Sequence, residues 1–178
     1  GSFNDLSEKL TPKGSVDFSQ RLGDNVGVSG GISYYQRKFE TDNIEADGWN
    51  ADDGRVFPEE VNYRDYDVER KRLSANLNVD VRVGSSTKLY ARGVYSQFDD
   101  QEYRRETSLK LEDAGTITAN GATGVDFSDE DGEIKIQRSL KDRFERQRIR
   151  SLVLGGDTEA DGWHAQYSVS YAKSTERE

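Results

Sequence analysis

The only imidazole in the chain is His164, and the chain contains no cysteine. Acid–base or nucleophilic catalysis needs partnered groups held together. His164 follows the turn residue Gly162 and lies far along the chain from either acidic stretch, so no catalytic residue is expected and the protein is read as a non-enzyme. The run Asp129-Glu130-Asp131-Gly132 has the look of a calcium loop. Aligning Gly132 with the loop glycine, however, puts Phe127 at the first ligand position and Arg138 where the bidentate Glu belongs, so no metal is expected there. Gly115 to Gly124 is glycine-rich but lacks the lysine of a phosphate-binding loop, and reads as a flexible tip with no cofactor. The basic run Arg138, Lys141, Arg143, Arg146, Arg148 and Arg150 would split between two faces of a strand and offers no stacking platform, so nucleic acid is excluded as a partner. Tyr34, Trp163, Tyr167 and Tyr171 could stack on sugars, but alternation puts them on an apolar face, where they form an interfacial girdle.

These residues must be positioned by strands. Apolar residues make up 33% of the chain and charged residues another 33%, too polar for a conventional core. Disorder does not fit a chain with nine Tyr, seven Phe and two Trp but only two Pro. A wall with one apolar and one wet face satisfies both facts. In the clearest segment, Leu73, Ala75, Leu77, Val79, Val81 and Val83 alternate with Ser74, Asn76, Asn78, Asp80 and Arg82. Its length is that of a tilted membrane-spanning strand, about 9 to 11 residues. Similar alternation predicts strands over Ser15–Leu22, Val26–Phe39, Thr87–Phe98 and Trp163–Tyr171. Arg143–Leu154 is ambiguous, because Ile149 and Val153 oppose Leu152 and Leu154; the cost of an Arg in lipid, roughly 2 to 4 kcal/mol, turns Arg148 and Arg150 to the polar face. The lumen-facing candidates for substrate contact are thus Asp80, Arg82, Arg92, Arg148 and Arg150, with Leu73, Leu77, Val79, Val81, Ile32, Trp163 and Tyr167 on the opposite face.

The connectors alternate short and long. Gly23-Asp24-Asn25, Gly84-Ser85-Ser86 and Gly155 to Gly162 are short, whereas Glu40 to Tyr66 and Asp99 to Glu133 read as long loops. The two long ones together carry a net charge of −15 against −9 for the whole chain. The repeated Glu-Ala-Asp-Gly-Trp at Glu45–Trp49 and Glu159–Trp163 reads as two Asp-Gly turns. Short turns at one end and long loops at the other predict an all-β fold, an antiparallel up-and-down transmembrane β-barrel segment. No apolar run is long enough for a transmembrane helix.

Ser2-Phe3-Asn4-Asp5-Leu6-Ser7, Pro12-Lys13-Gly14-Ser15, the hairpin Gly23 to Gly31 and Tyr95-Ser96-Gln97-Phe98-Asp99-Asp100 resemble the barrel domain of TonB-dependent receptors, particularly the large receptors of alphaproteobacteria and xanthomonads. The resemblance implies about six strands of a larger barrel of about 22 strands in the bacterial outer membrane, plugged by a separate domain. It also implies active import of a scarce solute, a siderophore, vitamin or oligosaccharide. Residues 1–178 are then a partial barrel domain, with the plug domain and remaining strands absent. The implied partners are outer-membrane lipid and lipopolysaccharide, the plug and TonB complex through segments outside this chain, and a small solute ligand. No TonB-contact residue carries over to any position here. A passive porin-like channel and a surface adhesin barrel share most of this physics and stand as alternatives.

Overall fold

Alternation builds the strands and turn residues reverse them. The computed structural model describes residues 1–52, 55–114, 117–120, 125–128 and 132–178, and among these it is all-β. The strands are β1 (Ser2–Asn4), β2 (Lys9–Thr11), β3 (Lys13–Leu22), β4 (Val26–Asp52), β5 (Arg55–Val83), β6 (Thr87–Lys110), β7 (Ile117–Asn120), β8 (Val125–Phe127), β9 (Lys135–Ala160) and β10 (Trp163–Arg177). β1 pairs with β2, and β7 with β8, as small antiparallel hairpins. The other six form one sheet in the order β3-β4-β5-β6-β9-β10, an up-and-down meander whose outer strands each have a single neighbour. The sheet is therefore not a closed barrel among the described residues.

Gly23-Asp24-Asn25 and Gly84-Ser85-Ser86 reverse the chain where the sequence puts them, whereas of the expected connector Gly155 to Gly162 only the last two residues turn and Gly155–Ala160 is strand β9, paired with β10. Gly23 and Gly84 carry φ of 69° and 67° at the first positions of their turns. Asp161 and Gly162, at 46° and 86°, form a two-residue hairpin turn that sets Ala160 opposite Trp163. The other Asp-Gly pair is not a turn: Gly48 takes φ 63° inside β4, and a side chain there would run into Glu59.

The two expected long loops are mostly strand. β4 continues to Asp52 and β5 starts at Arg55, while β6 runs to Lys110 and β9 starts at Lys135. Hydrophobic alternation fades in these segments, but cross-strand polar pairs replace it. Arg64 bonds both Glu45 and Glu106, Arg105 reaches Asp65 at 2.6 Å, and Lys141 reaches Glu102 at 3.0 Å. Opposite charges facing each other across strands support pairing that a one-dimensional hydropathy pattern does not register. Asp129, Glu130 and Asp131 of the calcium-like run lie outside the described residues, as do Gly115, Thr116 and residues 121–124 of the glycine-rich stretch. Ile117–Asn120 of that stretch is β7, not a loop tip.

By contacts the chain divides into two compact units, one of Gly1–Phe39, Val68–Gln101 and Arg143–Glu178, the other of Glu40–Asp67 and Glu102–Asp142. Burial is inverted relative to a water-soluble domain. Among the described residues the buried apolar side chains are Val68 and Ala114, whereas Ser7, Thr11, Asn62, Asp100 and Ser108 are buried polar ones.

Candidate functional site

The first unit carries two chemically distinct faces. Directly opposed residues in an antiparallel pair share a face. In β3 and β4, Val16 opposes Ile32, Phe18 opposes Gly30 and Leu22 opposes Val26. In β9 and β10, Leu152 opposes Tyr171, Leu154 opposes Val169 and Gly156 opposes Tyr167. Val79, Val81, Leu89 and Ala91 join Leu154, Tyr167 and Val169 around a shallow groove of about 580 Å³, which places β5 and β6 on the same side. The result is a continuous apolar belt. Among the described residues no other layer covers it: Val169 is 67% exposed, Tyr171 62%, Trp163 55%, Ile32 53% and Leu77 52%.

One border of the belt is a polar ladder. On β6, the Tyr95 hydroxyl donates to Gln97 Oε1 at 2.8 Å, and Gln97 Nε2 donates to both Asp99 carboxylate oxygens at 3.1 Å. On β9, running the other way, Arg150 lies over the Tyr95 ring, Arg148 Nε donates to Gln97 Oε1 at 3.0 Å, and Arg146 grips Asp99. The motif recurs on β4, where the Tyr34 hydroxyl donates to Gln36 Oε1 at 3.2 Å and Gln36 reaches Glu69 on β5. At these points tyrosine hydroxyls mark the change from apolar to polar surface.

The opposite face is wet. Arg92 Nη2 donates to Asp80 Oδ1 at 2.5 Å and Nη1 to the Val79 carbonyl at 3.2 Å, with the guanidinium over the Tyr90 ring. Asn78 reaches Ser29, and Ser74 meets Ser96 at 3.5 Å. Arg82 follows Asp80 onto this side by alternation.

Of the residues expected to share the polar face, the structure thus brings Asp80 and Arg92 together but separates Arg148 and Arg150 from them. Register puts Arg150 opposite Lys173 and Arg148 opposite Thr175, on the side of Tyr171, Tyr167 and Trp163. The physical reason is the length of β9. The strand reaches Ala160, so its apolar stretch is Leu152 to Ala160, and the arginines stand beyond its border, where no mid-belt charge penalty applies. Leu152 and Leu154 therefore decide the face, not Ile149 and Val153. Hydropathy along the sequence misses the ladder. Its signal is nonetheless present as two sets at spacing two, Tyr95-Gln97-Asp99 and Arg146-Arg148-Arg150, on neighbouring strands of opposite direction.

Near the Asp161–Gly162 turn, Asp157, Glu159 and His164 bring ligating atoms within 4.8 Å of one another. His164 Nε2 and Asp157 Oδ2 are 2.6 Å apart, and Gln166 also donates to Asp157 at 3.0 Å. One imidazole and two carboxylates make a donor set suited to a borderline divalent ion, but existing hydrogen bonds already occupy Asp157.

In the second unit, Glu106 is the hub. It accepts from Arg64 and from Ser139 Oγ at 3.0 Å, with Arg104 3.9 Å away. The Arg64 hydrogen bond, which outweighs desolvation, holds the Glu106 carboxyl below its ordinary value; Ser139 and Arg104 add to this. Arg64 is raised in turn by the same bond.

No family model matches this chain, and comparisons with curated proteins and with solved structures gave no match either. Among the described residues no helix is long and apolar enough to cross a membrane, which says nothing of strands.

Proposed function

We propose that the chain forms part of the wall of a bacterial outer-membrane β-barrel of the TonB-dependent receptor kind, which imports a scarce solute. The observation that carries this is the exposed apolar belt. A water-soluble monomer rarely leaves contiguous apolar surface of such extent uncovered. Lipid satisfies it at no cost, and the dimensions agree. The Leu73–Val83 stretch spans about 33 Å along the strand, which at a tilt of about 45° is a height of about 24 Å, against an apolar band of about 25 Å in barrels of this class. Tyrosines at the border, with hydroxyls turned to a polar row, supply the girdle such walls carry. The smallest single-chain barrels use eight strands, so this reading requires wall strands beyond the six.

On this reading the polar face lines the lumen, and Asp80, Arg82 and Arg92 are its candidate solute contacts. Arg148 and Arg150 leave that set. The partners are lipid on the belt, a plug and energising complex contacting other parts of the protein, and a small solute. Active import is tested by comparing uptake of siderophores, vitamins and oligosaccharides in wild-type and deletion strains, with and without a protonophore. Uptake of one solute class that is lost on deletion and abolished by the protonophore is expected. Uptake lost on deletion but insensitive to the protonophore would make the protein a passive channel. Unchanged uptake of every class would remove the transport proposal.

A further inference from the structure

Above the belt, β9 and β10 present Arg146, Arg148, Arg150, Lys173 and Arg177 on the belt's own side, with Arg150 opposite Lys173 and Arg146 opposite Arg177. Of these five cations Arg146 alone forms an ion pair within 4.0 Å among the described residues, with Asp99, which also accepts from Gln97 and lies in the longer-range field of Arg148. Among the described residues Arg148, Arg150, Lys173 and Arg177 have no carboxylate partner within 4.0 Å. Arg148 is held by Gln97 and Arg150 by the Tyr95 ring, so both guanidiniums are positioned without an ion-pair partner of their own. The geometry suits phosphate. Residues two apart on a strand lie about 6.6 Å apart and neighbouring strands about 4.8 Å apart, so Arg148, Arg150 and Lys173 occupy adjacent positions of one face, from which their long side chains can reach one phosphate group. Guanidinium binds phosphate oxygens in a bidentate manner.

What lies next to this cluster decides the ligand. Leu152 and Leu154 follow Arg150 on the same side of β9, and Leu154 with Val169, Tyr167, Val79 and Leu89 lines the shallow apolar groove. Leu154 is four residues from Arg150, about 13 Å along the strand. A free anion uses the cations and ignores the groove, whereas a molecule with a phosphate at one end and hydrocarbon at the other matches both. Resting on the lipid-facing reading of the belt, we propose that Arg148, Arg150 and Lys173 dock the phosphate-bearing head group of an anionic lipid whose acyl chains lie along the groove lined by Leu154 and Val169.

The test titrates the native protein, in neutral detergent micelles, with phosphatidylglycerol and separately with phosphatidylcholine of the same chains, and counts bound lipid by native mass spectrometry. At about fivefold per cation near an anionic head group, the triple change Arg148→Ala, Arg150→Ala and Lys173→Ala weakens phosphatidylglycerol binding roughly a hundredfold. Phosphatidylcholine binding stays unchanged, and the double change Arg148→Lys and Arg150→Lys, which keeps the charge but loses the bidentate fork, gives an affinity between that of the native protein and that of the triple variant. Should the triple variant fail to assemble, Lys173→Ala on the exposed β10 carries the same test, with about a fivefold loss. Unchanged phosphatidylglycerol binding, or equal loss for both lipids, overturns the proposal. So does displacement of the lipid by inorganic phosphate at equal concentration, which would make this a free-anion site. Quenching of Trp163 by lipid reports the belt separately: normal quenching with unaltered head-group selectivity defeats the docking site alone, and absent quenching defeats the wall reading beneath it.

Discussion

Arg146 on β9 holds Asp99 on β6 with two parallel hydrogen bonds, Nε to Oδ1 and Nη2 to Oδ2, each 2.8 Å long. The pair forms the outermost rung of a ladder whose next rungs are Arg148 with Gln97 and Arg150 with Tyr95. Each rung inward is less polar than the last, and the apolar belt begins at the following residues, Leu152 and Gly93. A graded border of this kind fixes the register of β9 against β6 at the place where the surface changes character.

Close packing at one glycine and open space at another give a paired prediction. A methyl group on Gly155 would lie 2.7 Å from the Tyr167 carbonyl oxygen and 2.5 Å from the Tyr90 ring, whereas one on Gly93 meets only the Leu77 carbonyl at 3.7 Å. Gly155→Ala is expected to lower stability by about 1–3 kcal/mol, and Gly93→Ala to be near neutral. Urea midpoints of the folded protein in micelles distinguish the two; equal midpoints would mean the strands separate more easily at Gly155 than the structure indicates.

The turn at Asp161–Gly162 tests backbone conformation in isolation. Gly162 has φ 86°, and a methyl group placed on it would have nothing within 4 Å, so Gly162→Ala meets no obstacle and costs only the left-handed backbone, about 1–2 kcal/mol. Asp161→Asn, which tolerates that region, should leave the midpoint unchanged.

The turn ends of the strands are legible in the sequence and their far ends are not, for one physical reason. Gly23-Asp24-Asn25 and Gly84-Ser85-Ser86 announce reversals by residue type, and Leu73 to Val83 announces a strand by alternation. Beyond Phe39 and Phe98 the strands persist through Arg64 with Glu45 and Glu106, and through Lys141 with Glu102, pairs that exist only once neighbours are aligned. The same blindness misplaces Arg148 and Arg150: with β9 taken to end at Leu154, their charge falls at the centre of the span instead of at its border. On the wet side, Asp80 is legible from the clean alternation of Leu73 to Val83, and Arg92 because Leu89, Ala91 and Gly93 hold the other face of the noisier segment Thr87–Phe98.

Glu106 predicts a pH dependence confined to the acid side. Its carboxyl is held below the ordinary value of 4.5 by Arg64, so the folded state favours the charged form. The associated stability is fully present above the unfolded value and is lost as pH falls below about 4.5 through the folded one. With Trp163→Phe leaving Trp49 as the reporter in the same unit, the urea midpoint should fall over that window. Glu106→Gln should flatten the fall; an unchanged slope would assign the acid sensitivity to other carboxylates.

The belt and the wet face make opposite predictions for the same substitution. An arginine on the lipid side near mid-span costs about 2–4 kcal/mol, so Leu154→Arg should impair assembly, read as loss of heat-modifiable migration on gels. Ser168→Arg, on the neighbouring strand but the other face, should assemble normally. Impairment by both, or by neither, would remove the distinction between the faces.

The two tryptophans allow the central claim to be measured directly. Trp163 lies in the apolar belt, while Trp49 follows Glu45 and Asp47 along the polar extension of β4. The native protein carrying either Trp49→Phe or Trp163→Phe is reconstituted into liposomes of lipids brominated along the acyl chains, and fluorescence is compared with that in unbrominated liposomes. A lipid-facing belt predicts strong quenching of Trp163 and little of Trp49. Emission from Trp163 that brominated chains leave undimmed, with the protein demonstrably assembled in the liposomes, would contradict it.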